Sequence, residues 1–318
     1  MNALWVFYFI QLLYSLVTLT EVDRFVLLFF LSVMIPSVVV ECITKYGMDK
    51  FISHLKILTF LLVVFSLLWD FETAVSGGRF MGFLNNPNLF AVVGIFWLTI
   101  LLIDHDAIKI KSFNAVAIFL IIALIFLSGS RTGFITSIFI MFFVFNRKRN
   151  FLLLSATIGI VLITTFSIFL QSHLDRFINL GDREKDSGRL ELWDLTLEKL
   201  PESWVLGTGF NGGLEILGTS NFHNNYLNYI FHMGIPLAFI AIMAYFLFMF
   251  NAYSYLKYGV SRSLVAFLLG FAILNFGEDL FIGVGSVTFV YQNFVLGIMA
   301  SQIIVRKSDQ EEEILLTN

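Results

Sequence analysis

The chain has 318 residues, of which 58% are hydrophobic, 17% aromatic and only 14% charged, with a formal net charge of −3. A soluble domain carries about 25% charged residues, so this composition excludes an ordinary soluble protein. The longest basic run is Arg147–Arg149, which gives no sign of a nucleic-acid partner, and the lone Cys42 excludes an internal disulfide and a multi-cysteine metal site. The composition predicts an all-α polytopic membrane protein.

About ten apolar runs follow one another along the chain, and several approach the 20 or so residues that cross a bilayer as a helix. They lie at 3–20, 25–43, 57–69, 88–103, 112–128, 132–146, 151–170, 226–250, 262–282 and 286–305. We expect a first bundle of about seven spans in 1–170, an extracytoplasmic loop in 171–225, three spans in 226–305 and a tail in 306–318. The first run lacks a basic flank and a small-residue cleavage site, so a retained helix is expected there.

Lysine and arginine in the loops predict which side of the membrane each loop faces. Twelve of the 20 basic residues fall on one set of short connections, whereas only Arg24, Arg79 and Arg131 fall on the short connections of the other set. Both termini are therefore predicted to be cytoplasmic. The acidic end after Lys307 is predicted to be a disordered cytoplasmic tail.

The long loop contains one amphipathic segment. Leu190, Trp193, Leu197 and Leu200 recur at helical spacing with acidic residues between them, which predicts a helix at the membrane surface. Asp186 or Ser187 can cap its start, and Pro201 follows its end.

Several polar residues fall on the predicted outer side, next to apolar runs. They are Arg79, Arg131, Arg189, His223, Glu278 and Asp279. Arginine beside lipid is costly, so such residues usually face a bundle interior or an aqueous cavity. The guanidinium fork matches phosphate oxygens, and a helix N-terminus, where Arg189 is expected, also favours an anion. Together they indicate a site for a phosphate- or carboxylate-bearing ligand.

Each of these residues also has a plain structural alternative. Arg131 can be an interfacial anchor, Arg79 an exposed turn residue, and Arg189 the partner of a neighbouring carboxylate. His223 can be an ordinary interfacial residue, and Glu278 and Asp279 plain loop charges. The deeper His232 is predicted to be a packing histidine.

Two further motifs favour structural roles. "NNPN" (85–88) is typical of a turn that opens a helix with Pro87 near its first position, although Asn86 or Asn88 can also contact a sugar. "LGTGFNGG" (206–213) predicts a tight, close-packed turn at Gly207 and Gly209. The pattern Asp104-His105-Asp106 is isolated in a cytoplasmic loop, so no metal site is predicted.

Five stretches in order resemble the O-antigen ligase/polymerase superfamily of bacterial membrane glycosyltransferases. They are "GRFMGFLNNPNLFA" (78–91), "LSGSRTG" (127–133), "SGRLELWDLTLE" (187–198), "LGTGFNG" (206–212) and "HNNYLNYIFHMGIPLA" (223–238). The resemblance implies a GT-C-type fold in the bacterial cytoplasmic (inner) membrane. It implies transfer of an undecaprenyl-pyrophosphate-linked glycan on the outer face, without metal or cofactor, in O-antigen, capsule or exopolysaccharide assembly. Other polysaccharide-assembly membrane proteins are possible partners.

On this resemblance, the site residues receive roles. Arg79, Arg131 and Arg189 would bind the pyrophosphate, and His223 or Glu278 would orient or deprotonate the acceptor hydroxyl, giving inversion. The supporting residues would be Asn88, Asn224, Tyr226, Trp193 and Gly209.

Other functions stay open at this point. A polymerase, with a lipid-linked glycan as acceptor, is preferred over a ligase that transfers the chain to a lipid A core or a protein. A transporter or flippase would be indicated by charges near the midplane and by broken helices in two halves. A scaffold for other envelope enzymes is a third class.

Overall fold

A computed structural model describes residues 2–69, 75–76, 79–84, 86–103, 112–145, 189–219, 222–277 and 287–317. The chain divides into two compact units. The first unit comprises Met1–Lys45, Asp186–Val260 and Leu274–Asn318, and the second comprises Tyr46–Lys185 and Ser261–Ile273. The predicted span 151–170 lies outside the described residues.

Helices form nearly all of the regular structure in both units. The helices that begin in the first unit are α1 (Asn2–Thr18), α2 (Val22–Tyr46), α7 (Arg189–Lys199), α8 (Gly212–Leu217), α9 (Asn225–Ser254) and α11 (Val287–Thr317). Those of the second unit are α3 (Met48–Leu68), α4 (Pro87–Leu101), α5 (Ser112–Leu127), α6 (Arg131–Phe145) and α10 (Arg262–Leu274). Short 3₁₀ turns lie at Gly82–Leu84, Leu200–Glu202 and Tyr255–Tyr258.

The lengths and composition of these helices agree with an all-α membrane protein. Four helical segments in the described ranges are long and apolar enough to cross a membrane: Val22–Tyr46, Met48–Leu68, Asn225–Tyr258 and Phe289–Arg306. Shorter apolar helices occupy Leu4–Thr18, Pro87–Leu101, Asn114–Leu127, Arg131–Phe145 and Arg262–Leu274. The membrane class is therefore supported, while the count of ten spans is not.

The second unit is built around α4, whose side chains from Phe90 to Leu101 are all buried. This helix contacts α3, α5 and α6. Glycines allow the close crossings: a Cβ at Gly94 would lie 2.8 Å from Ile125, and one at Gly133 would lie 2.6 Å from Ala91. Such small-residue contacts are typical of helices packed in membranes, where backbones must approach closely.

A two-strand ribbon is the only strand pairing among the described residues. Strand β1 (Val75–Ser76) pairs antiparallel with β2 (Arg79–Phe80), so that Ser76 lies opposite Arg79. Its consequence is local, because the pairing fixes the backbone of Arg79 beside the start of α4.

In the first unit, α1 lies along α9. The Phe7 ring is 5.7 Å from the ring of Tyr229 and 5.5 Å from that of Tyr245, and Tyr8 lies 5.4 Å from Phe289 on α11. These aromatic contacts form the core between the three helices.

Helix α9 is not one continuous straight helix. Its backbone breaks at Gly234, where φ is 74° and ψ 162°. The rings of Tyr226 and Phe246 stack 6.1 Å apart, although 20 residues of straight helix would separate them by about 30 Å. The arm 225–233 therefore folds back beside the arm 235–254. The single continuous span expected over 226–250 is corrected to a broken helix.

The C-terminal tail also differs from expectation. Helix α11 continues to Thr317, so the backbone of the acidic end is helical rather than disordered. Glutamate and leucine are good helix formers, and no glycine or proline interrupts residues 306–317.

Candidate functional site

Residues 222–225 connect to the start of α9 in the first unit, and we call them the lip. Phe222 and Asn225 are fully buried, and His223 and Asn224 are partly exposed. Because the short arm of α9 folds back, the lip lies beside the middle of the long arm and not at a free end. The Asn224 side chain caps α9 by accepting a hydrogen bond from the Leu227 backbone N–H at 3.1 Å.

His223 has a left-handed backbone, with φ of 51°. Non-glycine residues adopt this conformation uncommonly, at a cost of about 1–2 kcal/mol. Such residues persist where their surroundings hold them, often at functional sites. The contacts on either side of His223 supply that constraint.

The first constraint comes from α7. Trp193 donates its indole N–H to the carbonyl oxygen of Phe222 at 2.7 Å, directly before His223. One helical turn earlier, Arg189 donates through Nη1 to the carbonyl oxygen of Gly277 at 2.8 Å. Residues four apart share a helix face, so a single face of α7 holds the lip and the turn after α10.

The second constraint joins the lip to that turn. The Asn225 backbone N–H donates to the Asn275 carbonyl oxygen at 2.8 Å, and Asn225 Nδ2 donates to Asn275 Oδ1 at 3.1 Å. Both asparagines are fully buried. Helix α7, the lip and the 275–277 turn are therefore tied pairwise into a closed set of hydrogen bonds.

The amphipathic segment predicted at 190–200 is helix α7, which the structure gives as Arg189–Lys199. Its protein-facing side carries Trp193 and the buried Thr196, whereas Leu190 and Leu197 are exposed. The proposed caps Asp186 and Ser187 lie outside the described residues, and Pro201 follows in a 3₁₀ turn.

Tyr226 is held among aromatic rings. Its ring lies 4.7 Å from Phe276 and stacks on Phe246. This packing places Tyr226 next to the 275–277 turn.

The glycine motif covers the break in α9. Ile235 donates its backbone N–H to Trp204 O at 2.8 Å, Thr208 donates to Phe231 O at 3.1 Å, and Gly209 donates to His232 O at 3.0 Å. These bonds satisfy backbone groups that the break would otherwise leave unpaired. Gly207 and Gly209 both have positive φ, as a tight, close-packed turn requires.

His232 packs in this same region. It is buried, its Nδ1 lies 2.6 Å from Gly209 O, and its own carbonyl oxygen accepts from the Tyr14 hydroxyl. These contacts match the packing histidine predicted from the sequence.

The second unit brings together a different set of predicted site residues. Arg79 donates through Nε to Ser128 O at 2.7 Å and through Nη2 to Asn88 Oδ1 at 2.5 Å. Gly129, with φ of 64°, lets the chain pass beside the Arg79 side chain. Arg131 begins α6 immediately afterwards and is partly exposed. Arg79, Asn88 and the corner 128–131 therefore form one cluster.

The "NNPN" motif opens a helix as predicted. Asn86 Oδ1 accepts the backbone N–H groups of Asn88 and Leu89 at 2.9 and 3.1 Å, with Pro87 at the first position of α4. The Asn86 side chain is the cap, so the Asn88 side chain remains available to hold Arg79.

The arrangement supplies two chemical capacities. A guanidinium beside the N-terminus of α6 can bind an anion, and an imidazole on a constrained backbone can orient a hydroxyl or take its proton. Glu278 and Asp279 lie outside the described residues. Within the described ranges, no group of three His, Cys, Asp or Glu side chains is placed to hold a metal ion.

Sequence reasoning missed Asn275 and the 275–277 turn. Asn275 follows an apolar run and looks like an ordinary helix end, and its partner is 50 residues away in the sequence. Only "HNN" (223–225) carried a signal, because two asparagines after a histidine are unusual beside an apolar run.

Comparison with known proteins finds a family model that matches part of the chain. Residues 116–242 match the family model described as O-antigen ligase. Four of the five motif stretches lie inside this match, and 78–91 lies before it. A search of the curated proteins finds no match. The family match confirms the resemblance to the O-antigen ligase/polymerase superfamily that the motifs predicted.

Proposed function

We propose that this membrane protein is a polysaccharide polymerase that acts on the outer face of the bacterial inner membrane. It transfers a glycan from undecaprenyl pyrophosphate to a glycan acceptor. The observation that carries the proposal is the closed set of hydrogen bonds among α7, the lip and the 275–277 turn. This set holds His223 and Arg189, which both lie in the stretch 116–242 that matches the O-antigen ligase family model, on one framework with the 275–277 turn.

In the proposed reaction, the acceptor hydroxyl attacks the anomeric carbon of the donor sugar. The new C–O bond forms as the bond to the pyrophosphate oxygen breaks, with inversion, and undecaprenyl pyrophosphate leaves. His223 takes the hydroxyl proton, and Glu278 is the alternative base. Arg79, Arg131 and Arg189 bind the pyrophosphate and stabilise its developing charge, which is often a large part of catalysis.

The supporting residues receive roles from their contacts. Asn88 orients Arg79 through its Oδ1, Trp193 holds the carbonyl before His223, and Asn224 begins α9. Tyr226 supports the lip by packing on Phe276. Gly209 holds the 204–209 segment against the break in α9 through its backbone bond to His232 O.

The test is to incubate purified protein with lipid-linked oligosaccharide and analyse the products. His223→Ala should lower the rate by roughly 10²–10⁴ if it is the base. Arg131→Lys keeps the charge but loses the planar fork, so a loss of up to about 10²–10³ is expected.

Arg24→Lys is the matched control, because Arg24 is on the same predicted side but pairs with Glu21. It should leave the rate unchanged. Polymer of normal length from His223→Ala, at normal protein level, would remove His223 as the base. Wild-type activity of Arg131→Lys would make Arg131 an interfacial anchor.

A further inference from the structure

One of the residues that hold the lip carries no charge and no reactive group. Asn275 receives both the backbone N–H and the side-chain Nδ2 of Asn225, at 2.8 and 3.1 Å. Asn225 is two residues from His223, and between them Asn224 is occupied as the cap of α9. A shift at Asn225 is therefore transmitted to His223 over a very short length of backbone.

The same turn also receives Arg189, through Gly277 O at 2.8 Å. Asn275 and Gly277 are two residues apart, so the 275–277 turn sets the position of the lip and of the Arg189 side chain together. Trp193 closes the set by donating to Phe222 O at 2.7 Å.

Full burial makes the asparagine pair effective as a constraint. Both Asn225 and Asn275 are 0% exposed, so water does not compete for the amide–amide bond. Removing one partner leaves the other amide buried without its bond, which costs free energy. The lip would relieve this cost by moving, since His223 already holds an uncommon backbone conformation.

We infer that Asn275 is a positioning residue for the transfer reaction, acting through Asn225 to fix His223 against the acceptor hydroxyl. This inference rests on the proposed function. Its physical basis is that a displacement of about 1 Å at a reacting group can lower the rate by about 10²-fold. Asn275 itself does not contact substrate.

The test measures kcat and KM for polymerisation of lipid-linked oligosaccharide by the purified full-length protein. Asn275→Ala should lower kcat by about 10- to 100-fold with little change in KM. Asn225→Ala should have the same effect, and the double variant should be no worse than either, because both remove one bond. In a His223→Ala background, Asn275→Ala should have no further effect.

Asn293→Ala is the matched control. Asn293 is also a fully buried asparagine of the first unit, but its Nδ2 bonds to Phe289 O within α11. It loses a buried amide without touching the lip, so kcat should stay at the wild-type value. If Asn275→Ala fails to fold, Asn225→Ala tests the same bond from the other side.

The outcomes separate this inference from the proposed function. Wild-type kcat for Asn275→Ala, or equal losses with and without the His223 side chain, would overturn the positioning role alone. Full activity of His223→Ala would overturn the role of His223 in the proposed function and this inference with it.

Discussion

At the scale of single residues, backbone conformation distinguishes His223 within the lip. His223 holds a left-handed backbone between two anchored neighbours, Phe222 on one side and Asn225 on the other. The unfavourable conformation is maintained by hydrogen bonds from two separate segments.

Gly207 offers a sharp test of the cover over the α9 break. Its φ is +71°, and a Cβ there would overlap the carbonyl of His232. Gly218 has a similar φ of +68° with nothing within 4 Å. Gly218→Ala therefore pays only the left-handed penalty of about 1–2 kcal/mol, whereas Gly207→Ala should destabilise the protein substantially more.

Thermal unfolding of the two variants in detergent would measure this difference, with the wild type alongside. Equal shifts in the unfolding midpoint would show that the 204–209 segment does not approach His232 closely.

At the scale of elements, hydrophobic periodicity predicted most helices within a few residues. The run 112–128 corresponds to α5 at Ser112–Leu127, and 132–146 to α6 at Arg131–Phe145. Helix α3 begins at Met48, nine residues before the run at 57–69, because polar residues such as Asp49, Lys50 and His54 conceal its first turns. An apolar run in the sequence locates the apolar part of a helix. It does not locate the residue at which the helical backbone hydrogen bonds begin.

The break in α9 was invisible to the same reasoning. Residues 226–250 are predominantly apolar, and Gly234 and Pro236 are both tolerated in membrane helices. What decides the break is the 204–209 segment, which supplies partners for the freed backbone groups. A tertiary contact of this kind does not appear in a window of local sequence.

The fold-back of α9 makes a direct distance prediction. After replacement of Cys42 by serine, spin labels at Tyr226→Cys and Phe246→Cys should report a short separation, because the two rings stack 6.1 Å apart. A continuous helix would place these positions about 30 Å apart. Labels at Ile235→Cys and Ser254→Cys, within the long arm, should give about 28 Å in either case. A long distance for the first pair would contradict the fold-back.

At the scale of the whole molecule, the motifs predicted the resemblance to the superfamily but not the contacts within the candidate site. The order of five short stretches predicted the family, and residues 116–242 match it. The amide pair between Asn225 and Asn275 and the bond from Arg189 to Gly277 were not predictable, because each joins distant segments without a charge pattern that would pair them. A hydrogen bond between distant segments that involves no pair of opposite charges produces no pattern by which a single sequence would predict it.

Polymerase and ligase use the same donor and differ in the acceptor, so the fold of the donor side does not separate them. A deletion strain does. In a strain that lacks this protein, we expect the surface lipid to carry single repeat units. Without the polymerase, the ligase of the cell has only unpolymerised units to transfer. Long chains stranded on the undecaprenyl carrier would instead identify this protein as the ligase.

The broken helix α9 also raises the question of transport, since transporters place unwound helices at their binding sites. In this chain, however, the break is closed over by the 204–209 segment, with Ile235, Thr208 and Gly209 completing the backbone hydrogen bonds. If the break acted as the gate of a transporter, these backbone hydrogen bonds would have to break and re-form with other partners. We therefore expect purified protein in liposomes to form new glycosidic bonds on lipid-linked oligosaccharide. Movement of the unchanged lipid across the bilayer, without new bonds, would contradict the enzyme and support a transporter.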